Sequence, residues 1–181
     1  VTAVKRLLAR EHFDPAEIAA VTISTYPYSY ALNAGVQDPL TPSSARLCLP
    51  YTVAVTLTEG DLPPTAFFDQ QIQDAKIDAL RRKMEVVCND AYGDGPFSIR
   101  GCGISIRLQD GRCLFEEATS CEWDTVPSDD ALCKKFRTLA GDALTADELA
   151  QLEKTVLTFS PDSDILDITR ILAGFSRKQS N

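Results

Sequence analysis

The chain has 181 residues, 44% of them apolar and 24% charged, an ordinary composition with enough length for one well-packed domain. Its formal net charge is −8, and Arg81-Arg82-Lys83 is the one basic cluster, which argues against the basic stripe that nucleic-acid binding needs. No apolar run reaches the length of a membrane span, so no membrane association is expected.

Val4, Leu7 and Leu8 have the spacing of an amphipathic helix ending near His12. This segment lacks the apolar core of a secretory leader, and a helix already under way at Val1 suggests a start inside a longer protein. Residues 14–17 form a turn. Ala20 to Tyr26 alternates as a strand that Pro27 ends, and the breakers Asn33, Gly35, Pro39 and Pro42 predict a loop over 28–43. Ser43 or Ser44 caps a helix running to Glu59 and stopped by Gly60. It is apolar nearly all round, which predicts burial, and Pro50 inside it predicts a kink.

Leu62 to Phe68 reads as a short helical turn, and Asp74 caps a helix to Lys83. Met84 to Cys88 is a short strand, followed by a glycine-containing loop over 89–96. From Cys102 to Gln109 apolar and polar residues alternate, the pattern of a half-buried strand. Asp110-Gly111 predicts a two-residue type I′ hairpin, with Leu108 opposite Cys113 and Ile106 opposite Phe115. Residues 119–127 form a loop carrying Trp123 and Pro127. Three helices close the chain: one capped by Ser128 and running to about Ala140 with Leu132, Phe136 and Leu139 inward, a second with the capping box Thr145–Glu148 and the stripe Leu149, Leu152, Val156 and Phe159, and a third begun by Pro161-Asp162 with Ile165, Ile168 and Leu172 on one side. The fold class is α+β, a small, mainly antiparallel sheet with helices on one face, giving one domain over 1–175 and a polar tail over 176–181.

The six cysteines show no C-x-x-C spacing, and one histidine cannot complete a Cys/His metal site, so no metal is expected and the thiols read as reduced, in cytoplasm or an organelle matrix. No phosphate loop, dinucleotide fingerprint, nucleophile elbow or zinc-protease motif is present. His12, the usual type of acid–base residue, sits at a helix end and reads as a surface or capping residue.

Chemistry enters through Ser44-Ala45-Arg46-Leu47-Cys48-Leu49-Pro50-Tyr51-Thr52-Val53-Ala54, which resembles the S-A-K/R-F-S-L-P-Y-A-V-A segment of the MmgE/PrpD family. In order along the chain, Leu57 to Gly60, Phe67 to Lys76, Met84 to Val86, Ile104 to Arg112 and Leu132 to Phe136 are similar to further segments of that family. The resemblance spans nearly the whole chain and implies the smaller, C-terminal domain of a two-domain enzyme that forms a homodimer and needs no cofactor. It implies dehydration, decarboxylation or epimerisation of a small di- or tricarboxylate, as in 2-methylcitrate dehydratase, by proton transfer next to a carboxylate. Tyr51 then matches a cleft tyrosine that donates a proton or hydrogen bond, and Arg46 matches a basic position suited to a substrate carboxylate.

On one continuous helix Arg46 and Tyr51 would lie about 140° apart, so they share a pocket only if the kink turns them. A tyrosine in an apolar helix also reads as a core aromatic with a satisfied hydroxyl. The family's histidines and lysine segment belong to the N-terminal helical domain, which would lie upstream of Val1. The 119–127 loop has no glycine where many members do; if it edges the cleft, it implies a substrate other than 2-methylcitrate, with Trp123 lining the cleft or covering the hairpin. Lys135 reads as a helix-surface or interdomain residue. The alternative function is a stand-alone, non-catalytic domain that binds or stabilises a partner protein.

Overall fold

The computed structural model describes residues 1–33, 35–36, 38–93, 100–119, 127–141 and 143–178, with side chains up to residue 174. Loop residues 94–99 and 120–126, including Trp123, lie outside the described residues. The chain divides into two compact units, Val1–Thr125 and Val126–Asn181.

The first unit is built on an open four-stranded mixed sheet. Strand β1 (Ile18–Thr25) pairs in parallel with β2 (Met84–Cys88) and antiparallel with β3 (Cys102–Leu108), which pairs antiparallel with β4 (Cys113–Ala118). The order is β2-β1-β3-β4. The α+β class read from the sequence is therefore the observed one. A register shift between Ile18 and Ala20 lets Ile18, Val21 and Ile23 all reach the core despite their uneven spacing. They meet Ile104, Ile106 and Leu108 across the sheet, each almost fully buried.

Helices α1 (Thr2–Arg10), α4 (Leu49–Glu59), the one-turn α5 (Asp69–Ile72) and α6 (Ala75–Arg81) contribute Leu7, Val55, Ile72 and Ile77 to the same core. In α4 every residue from Pro50 to Leu57 is buried, as its apolar circumference requires. Gly60 ends it at φ 77°, a left-handed conformation that glycine adopts without a Cβ clash, and its N–H donates to the Thr56 carbonyl at 2.9 Å.

Three local expectations change. Pro27 starts a helix as well as ending a strand, because α2 (Pro27–Asn33) places it where no amide donor is needed. The predicted kinked helix is two helices, α3 (Pro42–Leu47) and α4, separated by Cys48 in an extended conformation at φ −88° and ψ 99°. Pro50 then falls in the first turn of α4, where its missing donor breaks no intrahelical bond.

The hairpin register is off by one from the type I′ reading: Arg107 faces Cys113, Ile106 faces Leu114 and Ser105 faces Phe115. The Gly111 N–H donates to the Leu108 carbonyl at 3.1 Å, and the Leu108 N–H donates to the Arg112 carbonyl at 2.9 Å, so Gln109 belongs to a three-residue loop with Gly111 at φ 91°. One added loop residue turns Leu114, Glu116 and Ala118 toward the core and leaves Phe115 exposed on the other face.

On that other face Tyr92 packs over Gly101 and Gly103, where any Cβ would collide with its ring or hydroxyl. Burial, together with the hydrogen bond and charge of Glu117, pushes the Tyr92 phenol up to about 12.

The second unit contains α7 (Asp129–Ala140), α8 (Ala146–Leu157) and α9 (Ile165–Lys178). The starts of α7 and α8 are those read from the sequence, with Ser128 capping α7 and Thr145 and Glu148 forming a capping box on α8. The third helix begins at Ile165 and not at Pro161-Asp162, because the Asp164 carboxylate accepts the Leu166 N–H at 2.9 Å. Arg137 grips Glu153 through two bonds of 2.8 and 2.5 Å, joining α7 to α8. Burial departs from expectation. Among its described residues only Cys133 and Leu152 are buried apolar side chains, while Leu132 is 45% and Leu139 57% exposed.

Candidate functional site

Thr41 forms a capping box with Ser44, and Pro42 occupies the first turn of α3. These signals begin the helix early enough to place Arg46 in its last turn, where a cation suits the helix dipole. The chain then straightens at Cys48, and Tyr51 falls in the first turn of α4. The break replaces the fixed angular separation that one helix would impose.

Tyr51 is 1% exposed. Its hydroxyl donates to the backbone carbonyl of Ala66, in the 3-10 turn Pro64–Phe67. Burial is the main cause that pushes its phenol up to about 12, with the carboxylates of Glu59 and Asp74 and the Cys48 thiol adding to it. The phenol therefore stays protonated throughout the physiological range and can act as a donor, not as a phenolate.

Arg46 is exposed and reaches the same turn from the other helix. Its guanidinium carbon stands 4.8 Å from the centroid of the Phe67 ring, within cation–π range, and Nη1 donates to the Pro42 carbonyl at 3.2 Å. Among the described residues it makes no ion pair, whereas Arg10, Arg81, Arg82, Arg112, Arg137 and Arg170 all do. The two candidates read from the sequence are thus brought to adjacent residues of one turn, Ala66 and Phe67.

Sequence reading missed what holds this region. Arg81, only 8% exposed on its side chain, bonds Asp78 and reaches Asp38 at 2.8 Å. Its charge and that of Asp38 both act on Cys48, whose thiol is pushed up by burial and pulled back by the Tyr51 amide and Arg81. The arginine pins the loop before α3 to α6 beside the helix break. Asp78 in turn is held below the usual carboxylate range by its bonds to Arg82 and Arg81. No spacing rule links positions 38 and 81; the basic cluster was the only sign.

His12 is exposed beyond the end of α1, and Lys135 is exposed on α7. Among the described residues Cys48, Cys88, Cys102, Cys113 and Cys133 form no disulfide. Among the described residues no group of three His, Cys, Asp or Glu side chains is placed to hold a metal ion, and no helix is long and apolar enough to cross a membrane. A cavity of about 500 Å³ in the second unit, bordered by Lys154, Phe159, Asp164 and Arg170, contains neither candidate residue.

The family model described as MmgE/PrpD C-terminal domain matches residues 1–159. Cis-aconitate decarboxylase of Mus musculus is 27% identical over 140 residues, which is 75% of this chain and 28% of that protein. Cis-aconitate decarboxylase-like protein oryM of Aspergillus oryzae is 21% identical over 155 residues, 85% of this chain and 32% of that protein. The chain spans about a third of the length of these curated relatives.

Proposed function

The chain belongs to the MmgE/PrpD family, and from that premise we propose that it serves as the C-terminal domain of a lyase or isomerase acting on a small di- or tricarboxylate. The reaction is dehydration, decarboxylation or epimerisation driven by proton transfer next to a carboxylate, with no cofactor, in a homodimeric enzyme whose remaining catalytic groups lie on a helical N-terminal domain. Dehydration of 2-methylcitrate and decarboxylation of cis-aconitate are the first reactions to assay; the names of the curated relatives favour the second.

The observation that carries the reading is the convergence, on the turn Pro64–Phe67, of a neutral phenol and an arginine that has no acidic partner among the described residues. In this reading Arg46 uses its planar fork to hold one substrate carboxylate. Tyr51 gives a proton, or a hydrogen bond, to the oxygen or carbon where charge develops. Its hydroxyl leaves the Ala66 carbonyl when substrate offers a better, charged acceptor, an exchange of one hydrogen bond for a stronger one. Because the phenol ionises only near pH 12, its donor role does not limit activity from neutral pH to about pH 10.

The test is kinetic, on the complete polypeptide. Tyr51→Phe lowers kcat by about 10²-fold, and Arg46→Met raises KM more than it lowers kcat. Near-normal kcat in Tyr51→Phe removes the hydroxyl from the mechanism.

A partner-binding role without catalysis is the second reading. It is favoured by the exposed Leu132, Leu139, Val156, Leu157 and Phe159 of the second unit, which need a covering surface. A purified chain that stays monomeric and binds no apolar dye counts against it.

A further inference from the structure

We propose that Phe67 is a positioning residue that presents Arg46 to a substrate carboxylate, an inference that rests on the polycarboxylate reading above. An exposed arginine has many rotamers, and fixing it at the moment of binding costs affinity. Two contacts reduce that freedom here: the Phe67 ring under the guanidinium at 4.8 Å and the Pro42 carbonyl at 3.2 Å. The ring is itself held, because Phe67 is half-buried and packs against the hydrophobic core.

The geometry suits a binding role. The guanidinium carbon lies over the Phe67 ring, and among the described residues its N–H donors give one bond, from Nη1 to the Pro42 carbonyl. The remaining donors of its planar fork match the two oxygens of a carboxylate. In a chain with 26 acidic residues against 18 basic ones, an arginine held by a ring and a carbonyl, and by no carboxylate among the described residues, keeps its charge available for an anion.

Phe67 also follows Ala66, whose carbonyl anchors the Tyr51 hydroxyl. The short turn Pro64–Phe67 is closed by its own bonds, Ala66 N–H to Pro63 at 3.0 Å and Phe68 N–H to Thr65 at 3.0 Å. It therefore sets the spacing between the cation and the phenol. Phe67 acts through Arg46 and touches no reacting atom.

The experiment measures steady-state turnover of cis-aconitate and 2-methylcitrate by the complete polypeptide carrying Phe67→Leu, Phe67→Tyr, or Phe67→Leu together with Arg46→Met. Leucine keeps apolar bulk and removes the ring face; tyrosine restores it. The expected result is a rise in KM of about 3- to 10-fold in Phe67→Leu, the size of a cation–π contact, with a smaller change in kcat. Phe67→Tyr returns KM to the wild-type value, and Phe67→Leu adds nothing once Arg46 is methionine. An unchanged KM in Phe67→Leu, a rise that tyrosine does not rescue, or an equal rise in the Arg46→Met background overturns the inference while the polycarboxylate reading stands. A wild-type protein that neither turns over nor binds either acid overturns the reading, and this inference falls with it.

Discussion

The two units of the chain reach helical structure by the same local rules, yet they differ sharply in what they bury. In residues 1–125 the strands β1 and β3 and the helices α1, α4 and α6 enclose a continuous core in which Leu7, Ile18, Tyr51 and Ile106 are almost inaccessible. In residues 126–181 the helices are capped as well or better, but Cys133 and Leu152 are the only buried apolar side chains among the described residues. Leu139, Val156, Leu157, Ile165 and Leu166 are all at least half exposed. Capping and periodicity decide that a helix forms and which face is apolar; they do not supply the surface that covers it. The first unit has that surface in its sheet.

The largest expected effect that tests this contrast is truncation of the two cores. Ile106→Ala removes a side chain packed on all sides and loses about 3–4 kcal/mol of stability. Leu152→Ala, in a helical layer free to settle around the gap, loses about 2 kcal/mol or less. Denaturant midpoints at constant slope measure both, and equal losses would break the comparison.

A smaller effect sharpens it on the far face of the sheet. Gly103→Ala places a methyl group against the Tyr92 hydroxyl, which is already committed to Glu117. The expected loss is about 1–3 kcal/mol, the usual range for overpacking. It shrinks in a Tyr92→Phe background, where the colliding oxygen is gone. A loss of the same size in both backgrounds would assign the glycine's role to the backbone.

The smallest effect is confined to alkaline pH. All five tyrosines lie in the first unit, and Tyr51 and Tyr92 titrate near 12, above the ordinary value of 10. Their raised values mean that the native state holds these protons more tightly than the unfolded chain does. Stability is thus unaffected by them below pH 10 and falls as pH rises from 10 through 12. Tyr92→Phe removes one group and flattens the fall, as read from denaturant midpoints across that range. An unchanged slope would show that Tyr92 ionises normally in the fold.

Much of this architecture was legible in the chain because its signals are local. The alternation of Cys102 to Leu108, the capping box at Thr145 and the stop at Gly60 each use residues a few positions apart. The errors arose where two local readings compete. Asp110-Gly111 fits a two-residue turn, but three residues close the hairpin, and one position reversed the faces of Cys113 and Phe115. Pro50 looked internal because the break at Cys48 carries no glycine or proline of its own.

The candidate site divides in the same way. Tyr51 and Arg46 were found through a contiguous motif that resembles a family. Their supports were not, because Ala66 contributes a backbone carbonyl and Phe67 a ring, 15 and 21 residues away from the side chains they hold. A carbonyl leaves no mark on a sequence. The pair of buried Arg81 with exposed Asp38 is hidden for the same reason, being formed only when α6 and the loop before α3 meet.

The measurement that bears most directly on the function is turnover of cis-aconitate and 2-methylcitrate, followed by product analysis, with the complete polypeptide and residues 1–181 assayed side by side. The account predicts that the complete polypeptide converts at least one of these acids and that the isolated 181 residues convert neither. Turnover by the isolated chain would contradict the division of the site between two domains, and a complete polypeptide inert toward both would contradict the lyase reading itself.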